Sequence, residues 1–216
     1  MIKIKKSDKP KDSFHYNDSD IQAKIRDDFY HLCYVCEEYT PRQFEIDHFF
    51  PQSVYEDKTH EWNNLFFICS KCNKIKLNSY NKCVETEILN CCCDEVENLI
   101  NLEFDSINDC VKITSNNQEN KVIKTIELLN KIYNGINSTS NSYKYIREEI
   151  KKEIVDIDSK IEIYNQASIA EKKYADEIGK LLKKNTKSKS SNFVSFKRTY
   201  VKNETNLINV FEEYFD

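Results

Sequence analysis

Residues 62–76 read WNNLFFICSKCNKIK. A polar turn leads into the apolar run Leu65–Ile68. A Cys-x-x-Cys pair, Cys69 and Cys72, closes the run, and Asn73 and Lys76 follow at the start of what reads as a helix. The run is too short for a buried helix and has the length of a fully buried strand. A strand that ends in a metal-ligand knuckle and passes at once into a helix sets the local fold. It also predicts a second knuckle elsewhere in the chain.

That knuckle is Cys33-Tyr34-Val35-Cys36. Two such pairs complete a tetrahedral four-thiolate site, so Cys33, Cys36, Cys69 and Cys72 are expected to hold a structural Zn²⁺. With four protein ligands the coordination sphere is closed, and this ion serves the fold rather than the chemistry. Between the knuckles lies EIDHFFPQS, residues 45–53. Closing the zinc site draws the ends of the segment together, so Asp47, His48, Asn64 and Asn73 are expected to converge. Pro51 is read as turning the chain out of the first strand, and Trp62 as bracing the loop that carries Asn64. Glu45 is read as a surface acid with a supporting role as the alternative, and His15, His31 and His60 as surface or packing residues.

The 216-residue chain has a formal charge of −4, two glycines and three prolines. So few turn residues favour long helices over a many-stranded sheet. No apolar run approaches the length of a membrane span, and the start MIKIKK leads into polar sequence, so the expected location is cytoplasmic with reduced cysteines. Residues 1–18 read as a polar arm. Ser19 with Gln22 suggests a capping box for a helix that buries Ile21, Ile25, Phe29 and Leu32. After residue 83 the chain reads as helical. One face carries Val122, Ile126, Leu129 and Tyr133, with Asn134-Gly135 as its stop. A long helix carries Ile146, Ile150, Ile154, Ile157, Ile161 and Tyr164. A further helix is expected to start at Ser168 and to bury Ile178 and Leu181. A polar loop follows at 185–192, then a last short helix from Leu207 to Phe215.

Charge is segregated. Residues 83–111 hold eight acids and no base, and residues 178–203 hold eight bases and no acid. The bases around Lys183–Lys202, interleaved with Phe193, Phe196 and Tyr200, fit a surface for nucleic acid or an acidic partner. They fit equally a solvated helix end whose aromatics pack inward. Cys83, Cys91, Cys92, Cys93 and Cys110 have no metal-ligand spacing. They are expected to be buried or idle thiols, with acidic neighbours that raise their pKa.

The run C-x2-C…D-H-x2-P-x-S…N-L…C-x2-C-N-x2-K resembles the HNH endonucleases. The resemblance implies a ββα-metal fold and an enzyme that hydrolyses phosphodiester bonds in DNA or RNA. It makes His48 the general base, Asp47 and Asn73 the holders of a catalytic Mg²⁺ or other divalent cation, and Asn64 the residue that orients His48 through the intervening loop. Lys74 and Lys76 become possible phosphate contacts. The expected architecture is mainly α (α+β). A zinc-stapled ββα module (core 33–80) lies within residues 1–82, with a helical region at 83–216. The opening MIKIKKSDKP and later landmarks such as TIELLNKIYNG, IREEI and FVSFKR follow the order of one HNH subgroup. That subgroup comprises the PtuB-like nucleases encoded beside an ATPase in Septu-type and retron-associated anti-phage defence systems. The likeness implies a defence effector with an ABC-type ATPase partner subunit. The competing reading is a zinc-ribbon nucleic-acid-binding or adaptor module without turnover.

Overall fold

The computed structural model describes residues 1–10, 13–80, 88–136, 141–170 and 172–203. Seven α-helices and two two-stranded antiparallel sheets make up these residues. The fold is thus mixed α/β with helices predominating. The expected boundary at 82/83, Cys83 and the expected helix from Leu207 lie outside the described residues.

Helix α1 (Ser19–Asp28) buries Ile21 and Ile25, and Phe29 and Leu32 continue its apolar stripe into the core. Its N-cap is Asp18, one residue before the expected box, and the Asp18 carboxylate accepts the His15 backbone N–H at 2.9 Å. The first knuckle follows. Its turn closes with Glu37 at φ 59°, and the Tyr34 N–H donates to Phe67 O at 3.0 Å, which docks the knuckle on the second strand.

Strands β1 (Phe44–His48) and β2 (Leu65–Cys69) pair in antiparallel register, with Asp47 opposite Phe66 and His48 opposite Leu65. Every residue of β2 is buried, as its unbroken apolar run requires. Helix α2 (Ser70–Tyr80) leaves β2 directly and packs on both strands. The order β1, long loop, β2, α2 is the expected ββα unit.

The N-terminal residues are not the solvated arm that their charge suggested. Met1, Ile2 and Ile4 are buried, and the Ile4 N–H donates to Cys91 O at 2.9 Å. Lys6 is drawn in with them. Its ammonium lies 4.2 Å from the centre of the Trp62 ring and donates to the carbonyls of Trp62 and Leu65. Burial lowers its pKa to about 8. The Trp62 indole N–H donates to Ser7 O at 2.7 Å, so Trp62 braces this loop from below.

The helical half contains a hairpin that the periodicity did not announce. A short α3 (Val96–Leu99) leads into β3 (Asn101–Asp105) and β4 (Cys110–Thr114). No glycine marks its turn. Asp109 takes the left-handed backbone (φ 45°), and Asp105 accepts the N–H groups of Ile107 and Asn108. Helix α4 (Asn120–Tyr133) ends as expected at Asn134, and Gly135 adopts φ +69°. A Cβ there would meet the Tyr143 ring at 2.4 Å, so the position requires glycine on two counts.

Helix α5 (Ser142–Ala170) runs through Ser168, where a new start was expected, because the helical pattern is not interrupted there. Helix α6 (Lys172–Lys187) extends into the expected polar loop and buries Leu182, whereas Leu181 is exposed. Ile157, Ile161, Ile178, Leu182 and Val201 form a small second cluster. The main core joins Ile21, Phe66 and Phe67 to Leu128, Tyr133 and Phe196, the last on α7 (Val194–Asn203). No described helix is long and apolar enough to cross a membrane.

The charge blocks meet inside the fold. Arg198 makes two hydrogen bonds to Glu97 at 2.6 and 2.8 Å, and Lys197, itself buried, pairs with Glu153 at 2.6 Å. Phe193 and Phe196 are buried. Around α7 the aromatics pack inward as one reading expected, but Lys197 and Arg198 are ion-paired within the fold rather than solvated.

Candidate active site and metal centre

The sulfurs of Cys33, Cys36, Cys69 and Cys72 all lie within 4.8 Å of one another and all four residues are buried. Cys36 and Cys69 are 3.9 Å apart. A tetrahedral zinc with bonds of about 2.3 Å holds its sulfurs about 3.8 Å apart, so this cluster has the size of a zinc site. Hydrogen bonds from Cys33 and the other two thiols lower the Cys69 pKa, while those of the same cluster push Cys36 and Cys72 up. Four buried thiols at this spacing suit a thiophilic cation.

Because Cys69 ends β2 and Cys72 lies in the first turn of α2, the cluster fixes the strand-to-helix junction. Asn73 is the next residue and Lys76 stands one turn later. Across from them, Glu45 and Asp47 lie two residues apart on β1 and therefore on one face of the sheet. Asn73 Nδ2 donates to Glu45 Oε2. That bond settles which end of the Asn73 amide is free, and its buried Oδ1 has no partner among the described residues. Asp47 is buried, accepting the Tyr34 hydroxyl at 2.8 Å and the Lys76 ammonium on both oxygens at 2.9 and 2.7 Å.

His48 ends β1, half-buried. Its Nε2 donates to Thr59 O at 2.9 Å, and the Gln52 side-chain amide lies 2.9 Å from the same nitrogen. A carbonyl can only accept, so the Thr59 contact puts the proton on Nε2 and the basic lone pair on Nδ1, and the Gln52 amide must then turn its oxygen rather than its nitrogen toward that N–H. Burial lowers the His48 pKa, opposed by the Thr59 bond and the Asp47 charge and reinforced by His60 and Lys76. The ring is therefore neutral near pH 7.

Asn64 governs where Thr59 stands. It is 1 % exposed and holds the 49–64 loop at two points. Its Oδ1 accepts the Phe50 N–H at 2.6 Å, and its Nδ2 donates to Phe50 O at 3.1 Å and to Lys58 O at 3.0 Å. Lys58 precedes Thr59 in the chain. An aromatic wall closes the other side, where Tyr16 meets the His48 ring edge-on at 4.8 Å and is flanked by His15 and His60.

Asp47, His48, Asn73 and Lys76 share one cavity of about 270 Å³ with Pro51, Gln52 and Ser53. A strand pair and a helix of this order, with a histidine at the end of the first strand and a four-cysteine cluster at the junction, are now in place.

Residues 33–79 match the model of the HNH endonuclease family. The match runs from the first cysteine of the cluster to near the end of α2 and leaves the later helices outside. No curated protein and no solved structure matches the chain.

The matched region brings the sequence-predicted residues Asp47, His48 and Asn73 onto one cavity, whereas Asn64 lies outside it and bonds Phe50 and Lys58 of the intervening loop. It separates the two lysines: Lys74 is exposed on α2, whereas Lys76 is buried against Asp47. Two contributors escaped the sequence reading. Thr59 acts through a backbone carbonyl, which no residue type announces. Tyr34 lies between two cysteines, a position that drew attention to its neighbours. Glu45, read as a surface acid with a supporting role as the alternative, is both: it is exposed and accepts the Asn73 amide N–H.

Oxygen donors at Asp47 and Asn73 suit a hard divalent cation in kind. The Asn73 Oδ1 without a partner fits such an ion directly, whereas the Asp47 carboxylate is already paired with Lys76. Among the described residues no other thiol joins the zinc-type cluster. Cys91 is buried, Cys93 is exposed and Cys110 is half-buried. The Cys92 pKa is lowered, first by Cys91 and then by Lys6 and Lys3, which reverses the expectation drawn from its acidic sequence neighbours.

Proposed function

We propose that this chain is an HNH endonuclease that uses a divalent cation to hydrolyse phosphodiester bonds in DNA or RNA. The observation that carries the reading is His48, neutral and held by Thr59 O with Nδ1 basic, on one cavity with the oxygen donors Asp47 and Asn73. In this reading Asp47 and Asn73 hold Mg²⁺ or a similar ion, which when bound polarises the scissile phosphate. His48 Nδ1 takes the proton from the attacking water. Thr59 O stabilises the imidazolium that results, because the Nε2 proton it already accepts becomes more acidic. Asn64 keeps that carbonyl in place, and Tyr16 limits rotation of the ring. The four-cysteine site holds Zn²⁺ and fixes the β2–α2 junction on which Asn73 depends.

The order of landmarks along the chain supports a narrower proposal. The protein is the cytoplasmic effector nuclease of an anti-phage system of the Septu or retron-associated kind, with an ABC-type ATPase as partner subunit. Its acidic net charge agrees with a partner that supplies positive surface.

The decisive experiment purifies the protein with and without the product of a neighbouring ATPase gene and assays duplex DNA and tRNA. Cleavage is expected with Mg²⁺, and not with EDTA or with the His48→Ala variant. A zinc-loaded, folded His48→Ala protein that cleaves at the wild-type rate removes the proposed base. One observation favours the competing reading, a zinc-bearing binding module without turnover: the Lys76 ammonium on Asp47. Nucleic-acid binding with no Mg²⁺-dependent cleavage under any of these conditions would establish that reading instead.

A further inference from the structure

The nuclease reading places a divalent cation at Asp47, and the chain already supplies a cation there. Lys76 is 6 % exposed. Its ammonium bonds both oxygens of Asp47 and approaches His48 O at 3.4 Å. Tyr34 adds a third hydrogen bond to the same carboxylate. Asn73 Oδ1, the other oxygen donor, has no partner among the described residues, and Glu45 fixes its amide nitrogen. One donor of the pair is therefore neutralised by an internal ammonium and the other stands ready.

A monocation and a dication drawn to one buried carboxylate repel each other. Their repulsion acts at close range where solvent screens little, and the burial that strengthens the Asp47–Lys76 pair strengthens that repulsion too. We propose that Lys76 and the divalent ion compete for Asp47, so that the ion binds only as the ammonium leaves. This rests on the reading of Asp47 and Asn73 as ion ligands. Lys76 also lines the 270 Å³ cavity, so a displaced ammonium stays within the space that a substrate phosphate must enter. A phosphate there gives Lys76 a new counter-charge and frees Asp47. Ion and nucleic acid then bind with positive coupling, each raising the affinity of the other by the same factor. The free protein holds its ion weakly.

The test is Mn²⁺ binding by the full, zinc-loaded chain, read by electron paramagnetic resonance. Lys76→Met is expected to bind Mn²⁺ at least about tenfold more tightly than wild type (about 1.4 kcal/mol). Asp47→Asn should abolish binding in both backgrounds. Equal or weaker binding by Lys76→Met, still dependent on Asp47, overturns the competition and leaves the ion site standing. Binding that is absent from both proteins, or indifferent to Asp47, overturns the ion site and the competition together. Lys76→Met leaves Asp47 with the Tyr34 bond alone, so its zinc content and circular dichroism are measured first. A wild-type measurement stands beside it: the Lys76 Cε resonance, assigned with Lys76→Arg, must shift at saturating Mg²⁺. A resonance that stays in place overturns the proposal.

Discussion

Asn64→Ala is the most informative single change in the loop. It removes three hydrogen bonds, those with Phe50 N, Phe50 O and Lys58 O, from a side chain that is 1 % exposed. Each such bond contributes roughly 0.5–1.5 kcal/mol net, and backbone groups left buried without a partner cost more. The expected loss is about 3 kcal/mol. For a chain of this length that corresponds to a fall of roughly 6–12 °C in melting temperature. The damage should be local, since the zinc-type cluster and the β1–β2 pairing do not use Asn64. Thr59 O would lose its fixed position and the His48 ring its orientation, so cleavage should fall about 10- to 100-fold, within what misplacement of a reacting group costs. Asn64→Asp is a sharper version. It keeps the acceptor for Phe50 N–H but aims an oxygen at two carbonyls, and it should be no milder than alanine. The assays are urea unfolding of the zinc-loaded protein, amide exchange across residues 49–64, and cleavage rate. A change in stability below about 0.5 kcal/mol with unchanged exchange would refute the argument that this amide is the staple of the loop.

Chelation of the zinc-loaded protein, or Cys36→Ser, should unfold the 33–80 segment. A structural zinc contributes about 10–16 kcal/mol, against a typical total stability of about 5–15 kcal/mol. Near-UV dichroism that survives complete zinc release would contradict this. The His48 pKa lies below its ordinary value of about 6.5, and the neutral ring is the form that the proposed base requires. Cleavage is therefore expected to be full above that pH and to be lost as the pH falls through the lowered pKa. An acid limb of kcat/KM centred above pH ~6.5 would oppose the burial argument. Replacing Lys197 and Arg198 with methionine should cost roughly 2–3 kcal/mol, because Glu153 and Glu97 lose charged partners. It should leave the salt dependence of nucleic-acid binding unchanged, and a flatter slope would place these bases on phosphate.

The zinc-type cluster and the ββα order were legible because they rest on spacing. Two Cys-x-x-Cys pairs around a buried apolar run admit few arrangements, and the convergence of Asp47, His48 and Asn73 follows from closing them. The β3–β4 hairpin was hidden because Asp109 takes the turn position that glycine usually signals. Leu102 and Phe104 opposite Ile113 and Val111 carry a period of two over too few residues to stand out. The N-terminal residues misled for another reason. Alternating lysines suggested solvent, but Ile2 and Ile4 between them form a buried edge, and Lys6 reaches carbonyl acceptors that no local pattern foretells. The partner of Asp47 was equally out of view. Lys76 was visible as a base near the site, but only the fold shows its ammonium turned inward, onto the carboxylate across the sheet.

Cys72 and Asn73 are consecutive residues. One faces the four-cysteine cluster and the other the candidate ion site, on the same turn of helix α2. This adjacency makes the cluster usable as an optical gauge. Cobalt(II) in place of zinc is coloured, and its visible bands follow small changes in ligand angle. An event at Asn73, whether arrival of an ion or of a phosphate, would be expected to pull on the backbone that Cys72 shares with it. The four-cysteine centre would thus report on the candidate site beside it, in real time and without a label.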